Sequence, residues 1–145
     1  MKKASWILLT LAAVSVIAVS LISAAHAYNT ADDYGIGGMR VSQVASGREA
    51  VRTGLRGIRG TSAAFAAAYG VLFLAIVLGP YRRGEAWAWW ALLAGSATVL
   101  AIVLLRIPFL GTTLGSGAAV IPFTLTLLGL LLTVKPAASA PPSSR

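Results

Sequence analysis

The chain has 145 residues, 57% of them hydrophobic and only 11% charged, whereas soluble domains carry about 25% charged residues. A water-soluble core of this size could not hide so much apolar surface, but a bilayer can. The formal net charge of +8 does not point to nucleic acid, because the basic residues flank apolar runs, where orientation and contact with anionic headgroups account for them.

Four apolar runs follow one another, at about 5–27, 61–79, 86–105 and 114–134. Each is close to the ~20 residues that cross ~30 Å of hydrocarbon as a helix. None has a charge inside or the period-two alternation of a strand. In lipid, backbone groups must pair within the segment. The expected fold is therefore all-α: one integral membrane domain over 1–134, a bundle of four transmembrane helices.

The first run also has a signal-peptide layout. Lys2 and Lys3 precede it, and Ala25-His26-Ala27 fits a small-x-small cleavage site. The apolar stretch is longer than the usual ~7–15 residues of such signals, which favours a retained helix. Cleavage would leave three spans. Gly79-Pro80 is expected to stop the second helix, Pro108 lies in a short link, and Lys135-Pro136 closes the fourth. Residues 135–145 are small, polar and proline-rich, and are expected to be disordered.

Orientation is not decided by charge alone. With the N-terminus inside, six basic residues lie on each side. The Lys-Lys start and an aromatic belt of Trp6, Tyr81, Trp87, Trp89 and Trp90 favour cytoplasmic termini.

Helices in lipid associate where small residues let backbones approach. The fourth run carries Gly115, Ala119, Pro122, Thr126, Gly129 and Thr133 on one face, and the third carries Ala91, Ala94, Thr98 and Ala101. The first has Ala13, Ser20, Ala24 and Ala27, and the second Ala63, Ala66 and Gly70. A period near 3.5 predicts a left-handed bundle. Pro122, in mid-helix, should kink its helix.

The segment 28–60 holds three of the four acidic residues and five arginines. Ser46-Gly47-Arg48-Glu49 matches a capping box. Arg48, Arg52, Arg56 and Arg59 follow at spacings of 4, 4 and 3, with Val44, Val51, Leu55 and Ile58 on an adjacent face. This describes a short amphipathic helix on the membrane surface, with arginines toward lipid headgroups, that could run on into the second span. Asp32 to Gly38 has neither calcium-loop nor phosphate-loop spacing and is expected to be a flexible loop.

The other loop reads Tyr81-Arg82-Arg83-Gly84-Glu85-Ala86-Trp87-Ala88-Trp89-Trp90. Arg82 and Arg83 would pin the helix ends and the tryptophans their depth, with Glu85 paired to an arginine. This string resembles a loop, Y-R-R-G-E-x-W-A-W, in small uncharacterised bacterial membrane proteins of four predicted helices. The resemblance implies the fold class and a bacterial envelope location, and the expected site is the inner membrane. It brings no activity with it.

The single histidine, His26, cannot make a metal site alone. The runs hold no proton-transfer groups beyond Ser, Thr and Tyr69, so neither an enzyme nor a cofactor is expected. The expected partners are membrane lipids and another membrane protein or a second copy. The expected role is structural or accessory, with a homo-oligomeric lipid-binding or transporter-like protein as the alternative.

Overall fold

The computed structural model describes residues 2–36, 38–111 and 117–133. In order they form α1 (Lys2–Tyr28), a hairpin of β1 (Gly35–Ile36) and β2 (Met39–Arg40), α2 (Val41–Ala45), α3 (Glu49–Ile76), a π-helical turn (Val77–Tyr81), α4 (Ala86–Leu104), α5 (Arg106–Leu110) and α6 (Gly117–Leu131). Three stretches are long and apolar enough to cross a membrane: Lys3–Tyr28, Glu49–Tyr81 and Ala86–Phe109. The 15 residues of α6 reach about 22 Å at 1.5 Å per residue, less than a full hydrocarbon core. Residues 114–116 and 134 of the expected fourth span, and the tail 135–145, lie outside the described residues.

The surface helix and the second span are one helix. Its 28 residues measure about 42 Å, longer than the ~30 Å core, so an upright helix projects at one end. The arginines place the projection at the N-terminal end. Ser46 does not cap it: Ser46 sits in the left-handed region at φ 48°, closing α2, and Arg48 occupies the N-cap with no side-chain bond. Ser46 donates to Gln43 O instead.

Gly79-Pro80 does not stop the second helix either. Pro80 lies inside the π turn, whose wider loop accommodates a residue without an N–H. The chain turns at Gly84, at φ +83°, where Gly84 N–H donates to Tyr81 O and Glu85 N–H to Pro80 O. Pro108 likewise falls within α5 rather than in a link, and α5 ends at Gly111, φ +62°.

α1 packs against both α3 and α6. Leu9, Ala13, Phe73, Val77, Leu92 and Leu130 form the buried cluster, with Trp6, Tyr69 and Trp89 against it. Two glycines set the spacing. A Cβ on Gly70 would lie 2.7 Å from Ile17 Cγ1, and one on Gly129 2.9 Å from Leu9 Cγ. The expected small faces of α1 and α3 are largely inside: Ala13, Ser20, Ala27, Ala63 and Gly70 are buried. Thr126 of α6 is buried too.

The small face expected for α4 points the other way. Ala88, Leu92 and Ser96 are buried, whereas Ala94, Thr98 and Ala101 are exposed and Ala91 is half-buried. The cause is the neighbour: α4 packs chiefly on α6 and scarcely touches α3. Its rotation is set near its start by Trp89, whose Nε1–H donates to Leu130 O at 3.3 Å.

Overpacking costs typically about 1–3 kcal/mol. Gly70→Val and Gly129→Val should each destabilise the protein by that amount in a denaturation titration in micelles. Gly54→Ala, where nothing lies within 4 Å, should be neutral or stabilise by up to about 1 kcal/mol.

Candidate functional site

Three constellations stand out, one at each end of the helices and one between them.

At the loop end, α1 finishes with carbonyls that have no helical partner. Arg56 of α3 reaches them. Its guanidinium donates to the carbonyls of Ala27 (3.3 Å), Asn29 (2.5 Å), Thr30 (3.3 Å) and Asp32, and the residue is only 9% exposed. A cation at a helix C-terminus also meets the negative end of the helix dipole. Arg52 donates to Thr30 O at 3.2 Å. Arg59 donates to Ser23 Oγ at 3.1 Å and stacks 4.0 Å from the centre of the Tyr34 ring. Of the four arginines with helical spacing, Arg48 alone is fully exposed. The other three tie the loop and the end of α1 to α3.

The loop they hold is structured. Gly35 pairs with Arg40 and Ile36 with Met39, and Tyr34, Val41 and Ala45 are buried beneath the hairpin and α2. Gly37 lies outside the described residues. Asp33 accepts from Ser42 N–H (2.9 Å) and Ser42 Oγ–H (2.6 Å), at the start of α2. Asp32 pairs with the His26 ring. The two aspartates thus serve different partners. Among the described residues no three His, Cys, Asp or Glu side chains converge as a metal site would require.

At the opposite end the expected anchor residues divide. Tyr81 is a hub: its hydroxyl bonds Ser5 Oγ at 2.6 Å and Thr133 Oγ1 at 2.9 Å, tying α1, the π turn and the end of α6 together. Trp89 points into the bundle. Glu85 accepts from Arg83 Nε–H and Trp87 Nε1–H, both at 2.7 Å. The Arg83 bond, then the Trp87 bond, hold the Glu85 carboxyl below its usual range. Arg82 lies 5.4 Å from the centre of the Trp6 ring, and Trp90 is exposed.

Between the ends lies a cavity of about 370 Å³ lined by α1, α3, α4 and α6. It exists because α4 leans on α6 and leaves α3. Pro122 and Phe123 form part of its wall, and among the described residues no charged side chain lines it. Phe65 and Val99 on its rim are exposed, so it opens sideways. Tyr69 and Ser96, both in its wall, bond to each other at 3.0 Å. That pair was readable as the class of mid-span polar groups that bond between helices. Sequence reasoning had no means of matching the two, nor of finding the carbonyl targets of Arg56.

The chain matches no family model, no curated protein and no solved structure.

Two outcomes follow. Arg56→Gln should destabilise the loop end by about 2–4 kcal/mol, since bonds to a charged group are worth about 1.5–3 kcal/mol each and the carbonyls lose several. Arg48→Gln should stay within about 0.5 kcal/mol of the parent. Amide-exchange protection over 29–45 separates the two.

The second concerns pH. The Ser42 hydroxyl, then the Ser42 amide, hold the Asp33 carboxyl below its usual 3.8, with Arg40 and Arg52 adding to the effect. A depressed carboxylate stabilises fully above its unfolded value and loses that contribution as pH falls through the folded one. Protection factors of 33–45 should therefore fall as pH drops below the usual 3.8. In Asp33→Asn the same region should be less protected at neutral pH and show a flatter response.

Proposed function

We propose that this chain is a non-enzymatic accessory protein of the bacterial inner membrane that works by binding another membrane protein through the outward face of α4. The observation that carries this reading is the inversion of α4. Small residues mark contact faces in lipid, because helix association there rests on close packing. α1, α3 and α6 turn Ala13, Gly70 and Gly129 inward against their neighbours, while Ala94, Thr98 and Ala101 are exposed on α4. Lipid gains little from meeting alanine instead of leucine. A partner helix gains close approach.

Several finer points belong to the same proposal. α6 belongs to the fourth span of a left-handed bundle. α1 is retained. The termini and Arg82–Glu85 are cytoplasmic, supported by Lys2, Lys3 and the aromatic residues. The YRRGEAWAWW string supports the bacterial setting.

A second reading, a homo-oligomeric lipid-binding protein, is favoured by the side-open cavity. In that case the headgroup contacts fall to Arg48, the arginine not engaged in the loop.

Gentle extraction of C-terminally tagged protein at native expression level, followed by native mass spectrometry, tests the first reading. It predicts a complex with a second membrane protein at fixed stoichiometry, lost in Ala94→Trp with Thr98→Trp. Recovery of the chain only alone or with itself overturns it.

A further inference from the structure

We propose that the cavity between α1, α3, α4 and α6 binds the ring of an isoprenoid quinone: flat, apolar, and carrying a hydrogen-bond acceptor. This rests on the second reading above and names its ligand class.

Three features of the cavity lead there. The first is its hydroxyl pair. Tyr69 and Ser96 carry two hydroxyl protons, and the 3.0 Å bond between them uses one. The other needs an acceptor. Several other hydroxyls in the helices turn back to their own chain: Ser20 donates to Val16 O, Thr98 to Ala94 O, Thr124 to Val120 O and Thr126 to Pro122 O. Ser96, only 6% exposed, instead crosses from α4 to α3 beside the cavity. A buried donor in apolar surroundings costs free energy until it is matched. An acyl chain offers no acceptor at mid-membrane depth, whereas a quinone carbonyl does.

The second feature is the wall. Phe65, Tyr69, Phe73 and Phe123 supply aromatic surface. The Tyr69 and Phe73 rings pack on each other, 5.9 Å apart and tilted by 60°, and aromatic walls of this kind suit a flat ring lying against them. The third is size and exit. About 370 Å³ lies at the small end of ligand sites, which run from ~300 to ~1,000 Å³. It suits a ring system better than a whole lipid, and the tail can leave past the exposed Phe65 and Val99.

The test uses the intact chain in micelles and three probes: phylloquinone, the same molecule with naphthalene in place of the quinone ring, and phytane, its tail as a bare hydrocarbon. Native mass spectrometry reads the bound fraction at equal mole fraction in detergent. Phylloquinone should bind about tenfold more tightly than the naphthalene analogue, the scale of one hydrogen bond in a water-free site. Phytane should bind more weakly again. Tyr69→Phe with Ser96→Ala should reduce phylloquinone to the level of the analogue. Equal binding of phylloquinone and the analogue, read on the unaltered chain, overturns the quinone proposal and leaves an apolar cavity site standing. Phytane bound in preference to phylloquinone does the same and assigns the cavity to an acyl chain. If none of the three is retained, the quinone proposal and the lipid-binding reading fall together.

Discussion

The arrangement depends on how closely the backbone of α1 approaches its two neighbours. Gly70 of α3 and Gly129 of α6 leave no room for a Cβ against Ile17 and Leu9. In lipid no water is released by pressing leucine on leucine, so association has to come from contact distance and hydrogen bonds. The glycines supply the first. The Ser5–Tyr81–Thr133 bonds supply the second at one end, and the Arg56 clamp at the other. α1 is thus held at both ends and in the middle. α4 is held mainly near its start, through Trp89 and Leu92.

That unequal grip connects the fold to its proposed uses. Because α4 rests on α6 and leaves α3, it opens the cavity on one side and turns its small residues outward on the other. The accessory reading uses the outward face and the ligand reading uses the cavity. They are compatible: a partner helix seated on α4 would sit beside the cavity's rim.

The membrane-spanning helices were legible because length and hydropathy are nearly sufficient in a bilayer. The inward faces of α1 and α3 were legible because small residues recur there at helical spacing. The face of α4 was not, since the same pattern marks any contact surface, internal or external. Gly79-Pro80 looked like a stop, but a π turn absorbs the missing donor without ending the helix. The arginine ladder was legible as one face of a helix extending into the second span. Its targets were not, because they are main-chain carbonyls of α1 and the loop, some 24–29 residues away, and carbonyls leave no mark in a sequence. Tyr81 read as an interfacial ring, while its hydroxyl makes the bonds that matter.

The proposal that α1 is retained as an inner member of the bundle, rather than removed after export, has a direct test. The chain contains no cysteine, so a single introduced pair reports without background. Ile17→Cys with Gly70→Cys places the two thiols where a Gly70 Cβ would lie 3.3 Å from Ile17 N, and the isoleucine side chain that would collide is gone. Oxidation in native membranes should close a disulfide on a chain of full mass, and a control pairing Gly70→Cys with the exposed Leu21→Cys should not close. A mature chain lacking its first ~27 residues, as a cleaved signal would leave, or an Ile17–Gly70 pair that stays reduced, would contradict the account.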